Sequence, residues 1–492
     1  MAAVGDEVPQ RLTGSIPPMR TVDDDRVKHG IRGTLLAFGA GVVGQRLCQL
    51  LTFVLIGTAL GAGGLGRFAE GMALAAVLVV LAGAGVRNLT ARQLAAAPGS
   101  ARALVTAAVR MRLRLGALGL LVAAAIAFAT SELPWFYVLC ALQVLPGAFD
   151  QKQIADAAGR ARSEVALETT VSALQLAAVL VWSWQPQPDL TTLAALALAC
   201  RCVYAARAAV AMRNLPATQS AEPLPARPLL LVGQSAHELL TAGDVWLVAV
   251  LLGDAAAGFY AFAQRFAAAA LVPSTQLARL LLPHLLHASA NGDASRTLGT
   301  ALRAVAFLTL PVAAGGAMAS LALCRFFAAG FDPAAAPLCL LLVAGCMQHL
   351  GWQCSHALLA QRRDAAYAHG LLWPAALHAS CLLALAAVPT APDLAALLAA
   401  AAATFAYTVY WGVGMRLVRP ERTASLLAPL ALAVATGATT ALAGALVPGS
   451  AGLALQLAVG AGTLAVGVWW CELRGRWRRF GDGLAQASGF RA

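Results

Sequence analysis

The stretch GQRLCQLLTFVLIGTALGAGGLGRFA, Gly44 to Ala69, is echoed by GQSAHELLTAGDVWLVAVLLGDAAAGFYA, Gly233 to Ala261, with three extra residues in the second copy. Gly44, Gln45, Leu50, Leu51 and Thr52 meet identical residues in Gly233, Gln234, Leu239, Leu240 and Thr241. Further on, Leu60, Gly61, Gly66 and Ala69 match Leu252, Gly253, Gly258 and Ala261, and Phe68 meets Tyr260. Each copy reads as a long apolar helix, a short glycine-containing turn and the start of a second helix, which is a hairpin across a membrane. Duplicated halves of this kind are the architecture of secondary transporters.

Composition sets the solvent. Of 492 residues, 60% are hydrophobic and 12% charged, with a mean hydropathy of +0.72, a balance that a protein with a solvated surface does not sustain. The chain is expected to be an all-α integral membrane protein. Apolar runs of about 20 residues, the length that spans a ~30 Å hydrocarbon layer, recur fourteen times: 33–60, 68–86, 112–131, 134–150, 166–184, 190–210, 229–252, 257–277, 302–323, 335–358, 366–388, 392–415, 424–447 and 451–472. These divide into a disordered cytoplasmic tail (1–32), an N-lobe of six spans (33–212), a cytoplasmic linker (213–228), a C-lobe of six spans (229–418), an appended pair of spans (419–473) and a basic tail (474–492). Six is an even number, so the lobes enter the membrane in the same sense and form parallel, pseudo-symmetric repeats.

Loop charge tests the count, because Lys and Arg accumulate on the cytoplasmic side. With the N-terminus inside, inner segments hold clusters such as Arg110, Arg112 and Arg114, Arg362 and Arg363, and Arg474, Arg476, Arg478 and Arg479. The outer loops hold only Arg67 and Arg325. The net charge of +12 is therefore a topology signal and a match to anionic inner-leaflet lipid, not a sign of nucleic acid. Both termini are expected in the cytoplasm, and the first span is expected to act as an uncleaved signal anchor. Trp135, Trp182 and Trp184 fall at outer ends and Trp469, Trp470 and Trp477 at the final inner end, where amphipathic rings anchor at the interface.

The sequence also excludes. Outer loops are short, so no extracytoplasmic domain houses an active site, and no nucleotide-binding or hydrolase motif is present. The ten cysteines form no CxxC pair and read as small buried residues. His284 and His287, and His349 and His356, read as solvated or core histidines rather than metal ligands. Neither a cofactor nor a metal is expected, and the protein is not expected to be an enzyme.

The polar residues inside the spans carry the functional reading. Gln45, Gln49 and Thr52 in span one share a helical face, and Gln234, Glu238 and Thr241 repeat it in span seven. Such stripes line a shared hydrated cavity or join helices by hydrogen bonds. Arg46 lies near the centre of span one, where an arginine costs about 2.5–3.5 kcal/mol on the lenient insertion scale, and so needs water, an acid or an anionic ligand. Arg265 is placed about two turns from the outer surface, and Arg201 is close enough to the inner surface to snorkel. For Glu238 and Asp244, binding of a coupling proton or Na⁺ and structural pairing with Arg46 or Arg265 are both open. Pro146, Pro273, Pro311 and Pro374 are expected to kink their spans.

The string DVWLVAVLLGDAAAGFYAFAQRF joining spans seven and eight, with LGAGGLGRFA opening span two and GVRNLTARQLA after it, resembles polysaccharide flippases of the Wzx type in the MOP superfamily (multidrug/oligosaccharidyl-lipid/polysaccharide). The matching positions are Asp244, Leu252, Gly253, Gly258, Tyr260 and Arg265. The resemblance implies two six-helix lobes around a cationic cavity that turns a polyprenyl-diphosphate-linked oligosaccharide from the inner to the outer leaflet of a bacterial cytoplasmic membrane by alternating access. It implies Gln45, Gln49, Thr52, Gln234 and Thr241 for sugar hydroxyls, Arg46 and Arg265 for the diphosphate, an H⁺ or Na⁺ counter-ion, and polysaccharide polymerase and glycosyltransferase partners. The alternatives are a multidrug or organic-cation exporter of the same superfamily and, from a different class, a membrane glycan polymerase or ligase.

Overall fold

Two glycines set the architecture. In the computed structural model, Gly61 has φ 69° and ψ −176°, and Gly253 has φ 92° and ψ 166°, a backbone region open almost only to glycine. Each reverses the chain. Phe53 and Phe68 flank Gly61 with ring centroids 6.0 Å apart, whereas fifteen residues of straight helix would span about 22 Å. Around Gly253, the Tyr260 hydroxyl reaches Asp244 at 2.8 Å. Alanine at either glycine is expected to cost about 1–3 kcal/mol through backbone strain, read as a lowered midpoint of thermal unfolding in detergent. An unchanged midpoint in both variants would show that the turns tolerate a side chain.

The structure describes residues 24–83, 90, 101–150, 161–213, 228–278, 285, 294–418, 426–447 and 449–473. The first 23 residues, the linker stretch 214–227, His284, His287 and the tail 474–492 lie outside the described residues. Among the described residues every element is helical. The first lobe holds α1 (Asp24–Gly83), α2 (Ala101–Thr130), α3 (Pro134–Leu142), α4 (Val144–Gly147), α5 (Ala161–Ser183) and α6 (Leu190–Arg213). The second holds α7 (Pro228–Thr241), α8 (Gly243–Leu252), α9 (Asp254–Ala270), α10 (Val272–Ala278), α11 (Ala294–Phe327), α12 (Ala335–Ala360), α13 (Asp364–Ala386) and α14 (Pro392–Val418). Helices α15 (Leu427–Leu446) and α16 (Gly449–Leu473) follow.

Ten of the described helices are long and apolar enough to cross a membrane, or twelve if each of two bent pairs is one span. The segment Ala40–Gly83, 44 residues long, folds back at Gly61, and the shorter apolar pair Pro134–Gly147 lies where span four was expected. Counted so, each of the fourteen predicted spans coincides with a helix or a helix pair. Helix α1 starts at Asp24, inside the segment expected to be tail.

The lobes repeat each other in packing as well as in sequence. Span one packs on α5, with the Thr169 hydroxyl donating to the Gly41 carbonyl at 2.9 Å. Span seven packs on α13, where a Cβ on Gly233 would stand 2.7 Å from Tyr367. Gly44, the partner of Gly233 in the repeat, likewise faces α5 at Thr169. The appended pair has no counterpart in the first lobe: α15 and α16 pack on each other and on α11. Small residues let them approach, Gly315 lying against Thr436 and Gly460 against Thr440.

Breaks mark two of the four prolines expected to kink their spans. Pro146 lies in α4, just past the interruption at Gln143, and Pro273 follows the 59° bend between α9 and α10. Pro311 and Pro374 sit inside α11 and α13. One tryptophan was misplaced by the interface rule. Trp135 and Trp184 are exposed, but Trp182 is 1% exposed, because its indole N–H reaches inward to the Asp189 carbonyl at 3.1 Å and caps the turn before α6. Burial works against the Asp189 carboxylate, but hydrogen bonds from Thr192 outweigh it and hold its pKa below the ordinary value.

Candidate functional site

The lobes meet where the two hairpins cross, and the meeting is reciprocal. A Cβ on Gly66 would stand 1.8 Å from the carbonyl oxygen of Asp254, and one on Gly258 would stand 1.9 Å from that of Ala62. Gly66 and Gly258 are partners in the repeat, and so are Ala62 and Asp254, so each hairpin offers the other the same contact. Beside it Arg67 and Asp254 form an ion pair at 2.6 Å between half-exposed side chains. Glu70 is half-buried and accepts the Tyr137 hydroxyl at 2.6 Å.

Deeper, each lobe contributes an arginine. Arg46 is fifteen residues before Gly61, about 22 Å along its helix, and Arg265 is twelve residues after Gly253, about 18 Å along α9. Arg265 is therefore about three turns below the hairpin end, since the chain turns at Gly253 and α9 begins at Asp254. Its guanidinium lies 4.4 Å from the centre of the Phe53 ring of span one, a cation–π contact across the lobes. Arg46 lies seven residues, about two helical turns, before Phe53 in the same helix, and its Nη1 donates to Gln49 Oε1 at 3.0 Å. Arg46, Gln49, Phe53 and Arg265 thus form one group.

The rest of the polar stripes divide. Gln45 and Thr52 are buried, and the Thr52 hydroxyl donates to the Cys48 carbonyl of its own helix at 2.8 Å. Thr241 lies 3.5 Å from the carbonyl and 3.4 Å from the carboxylate of Glu238, so both threonines turn back on their own helices. Gln234 is half-buried, and its Oε1 finds no partner among the described residues. Arg201 is exposed, as snorkelling requires.

Asp244 stands at a break. Span seven bends by 57° between α7 and α8, and the three extra residues of the second repeat, Ala242 to Asp244, fall there. The first repeat runs through the equivalent point as unbroken helix. The groups freed by the break find side chains: Tyr407 donates to the Leu240 carbonyl, and Gln264 Nε2 donates to the Thr241 carbonyl at 3.2 Å. The Val245 N–H donates to Asp244 Oδ1 at 2.7 Å. Gln264, Tyr407 and Phe53 were not singled out in the sequence, although counting from Gly253 places residues near 260–264 opposite Asp244.

Of the two histidines expected in the core, His349 is fixed by neighbours, while His356 Nδ1 is buried with no hydrogen-bond partner among the described residues. His349 Nδ1 bonds to the Gly345 carbonyl at 2.6 Å and Nε2 to Thr275 at 2.9 Å. The Trp352 indole donates to His237 Nε2 at 3.1 Å. No group of three or more His, Cys, Asp or Glu able to hold a metal occurs among the described residues.

No family model matches the chain, and no curated protein matches it in sequence. Solved structures do match. The lipid II flippase MurJ in an inward closed conformation aligns with a TM-score of 0.67 at 11% identity, covering 89% of this chain and 99% of that one. A multidrug resistance MATE family transporter of the MOP superfamily, inward-facing, aligns with a TM-score of 0.57 at 14% identity over 76% and 94% of the two chains. A MOP superfamily transporter from Pyrococcus furiosus, described as having a binding pocket of reverse polarity, reaches 0.59 at 13% identity over 78% and 94%. The likeness is one of fold, and the chain is a multi-pass membrane protein with the fold shared by transporters of the MOP superfamily.

Proposed function

We propose that the protein is a transporter, not an enzyme, that moves a polyprenyl-diphosphate-linked oligosaccharide from the inner to the outer leaflet of a bacterial cytoplasmic membrane by alternating access, with both termini in the cytoplasm. One observation carries this reading: Arg265 of the second lobe reaches the Phe53 ring of the first at 4.4 Å, and Arg46 lies seven residues, about two helical turns, before Phe53 in the same helix. Two guanidiniums in a low-dielectric setting repel each other and favour an anion between them, and their planar forks match phosphate oxygens. A cationic drug meets the opposite field. The lipid tail stays in the bilayer while polar side chains replace water around the sugars, each of whose unpaired hydroxyls would cost several kcal/mol in hydrocarbon. The lipid II flippase MurJ shares this fold, as does a MATE transporter, so the choice between these substrate classes rests on the arginines.

With the termini inside, the hairpin end faces outward, and its glycine contact closes the outer side. Glu238, half-buried beside Thr241, is the carboxylate we assign to any H⁺ or Na⁺ coupling. A polysaccharide polymerase and glycosyltransferases are the partners this chemistry calls for. Depleting the protein in its host is expected to accumulate lipid-linked oligosaccharide on the inner leaflet, shielded from periplasmic glycan-modifying reagents. Unchanged export with no accumulation would overturn the assignment.

A further inference from the structure

Asp244 is 1% exposed, and both oxygens of its carboxylate are engaged. Oδ1 accepts the Val245 N–H at 2.7 Å and Gln264 Nε2 at 3.0 Å, and Oδ2 accepts the Tyr260 hydroxyl at 2.8 Å and Gln264 Nε2 at 2.9 Å. The Gln264 amide has two N–H groups and one serves the Thr241 carbonyl, so the other is shared between both carboxylate oxygens, and three donors serve about four acceptor sites. Every partner donates to it, an arrangement that suits the ionised form and leaves few of the lone pairs a bound cation needs. The residue also lies in the first turn of α8, where the helix dipole favours negative charge.

The partner that matters most is Gln264. Its amide ties the last carbonyl of α7, that of Thr241, and the first turn of α8, at Asp244, to one point on α9. The next residue on α9 is Arg265, the one that crosses to Phe53. Both halves of the broken span are thus fastened to α9 immediately before the cation that reaches the opposite lobe. Tyr407 of α14 secures the same break at the Leu240 carbonyl. The charged and titratable groups around the carboxylate are Tyr260 and Arg265 on α9 and Tyr407 on α14, with Glu238 one helix earlier.

We propose that Asp244 is a positioning residue: with Gln264 it fixes the break in span seven so that Arg265 is held against the first lobe to meet an anionic headgroup, and it carries no coupling ion. The part concerning the headgroup rests on the substrate reading above. The positioning itself is testable without substrate. Phe53 is replaced by 4-trifluoromethylphenylalanine, and its fluorine resonance is recorded in the purified full-length protein. Arg265→Ala defines the shift that marks loss of the cation from the ring. Asp244→Ala and Gln264→Ala are each expected to move the resonance toward that position, and Asp244→Asn, which keeps one oxygen to accept the Val245 N–H and presents an amide N–H that the Tyr260 hydroxyl oxygen can accept, to move it less. An unmoved resonance in Gln264→Ala and in any folded Asp244→Ala protein overturns the proposal.

A second arm measures binding of undecaprenyl diphosphate. Asp244→Ala, Gln264→Ala and Arg265→Ala are each expected to weaken it about tenfold or more, and Asp244→Ala combined with Arg265→Ala to be no worse than the stronger single variant. Failure of the unsubstituted protein to bind this lipid would reject the substrate reading, while the fluorine measurement still judges the positioning. In proteoliposomes, Asp244→Asn is expected to keep the dependence of transport on a pH or Na⁺ gradient shown by the parent protein. Uptake that persists but no longer responds to either gradient would make Asp244 an ion carrier and overturn the proposal.

Discussion

In a Gly258→Val variant the hairpin ends of the two lobes come apart. The first carbon of the new side chain would stand 1.9 Å from the carbonyl oxygen and 2.7 Å from the carbonyl carbon of Ala62. These are backbone atoms in a helix, so no side chain can rotate away. Overpacking of this kind costs about 1–3 kcal/mol or more, and here one rigid-body movement, separation of the lobes, relieves it. Gly66→Val acts in the same way against Asp254. The measurement is crosslinking of cysteines placed at Arg67 and Asp254, whose side chains now touch, by a short bifunctional thiol reagent in a cysteine-free background. The crosslinked fraction should fall by about an order of magnitude in either valine variant, and transport should fail because the outer side no longer closes. Full crosslinking in both variants would mean that the lobes absorb the added volume locally.

The second large effect falls on the arginines. Arg46→Ala and Arg265→Ala should each reduce export about 10- to 100-fold, the range of one charge-assisted hydrogen-bonding group, with the protein still inserted at normal abundance. Arg265→Lys retains the charge but loses the planar fork, so its activity should lie between. The readouts are surface glycan and lipid-linked oligosaccharide retained on the inner leaflet. Normal export by both alanine variants would remove the two residues from the substrate path.

Most of the fold was legible because a membrane restricts the chain to apolar helices of set length, and because the repeat located both turns. Gly61 and Gly253 were readable as turns from their place in the duplicated motif. The reciprocal approach of Gly66 and Gly258 was not, since the sequence gives no sign of which face of one hairpin lies on the other. Of the site, Arg46 and Arg265 stood out through the cost of an arginine in hydrocarbon. Their convergence depends on how the lobes dock, which only tertiary structure supplies. The stripe argument was weaker: helical spacing correctly placed Gln45, Gln49 and Thr52 on one face, but it cannot tell a threonine hydroxyl that points outward from one that bonds to its own helix, as Thr52 does. Asp244 and Gln264 escaped as a pair for a related reason. They are twenty residues apart and become neighbours only because the chain reverses at Gly253.

The crossing of the hairpins is self-complementary: each presents a glycine to the backbone of the other at corresponding positions. That is the contact two identical subunits make about a twofold axis. A half-length ancestor would have needed no new surface to assemble as a homodimer, and gene fusion would then have joined the subunits without altering how they meet. Joined copies need not carry the same residues, and here one supplies Arg46 and the other Arg265.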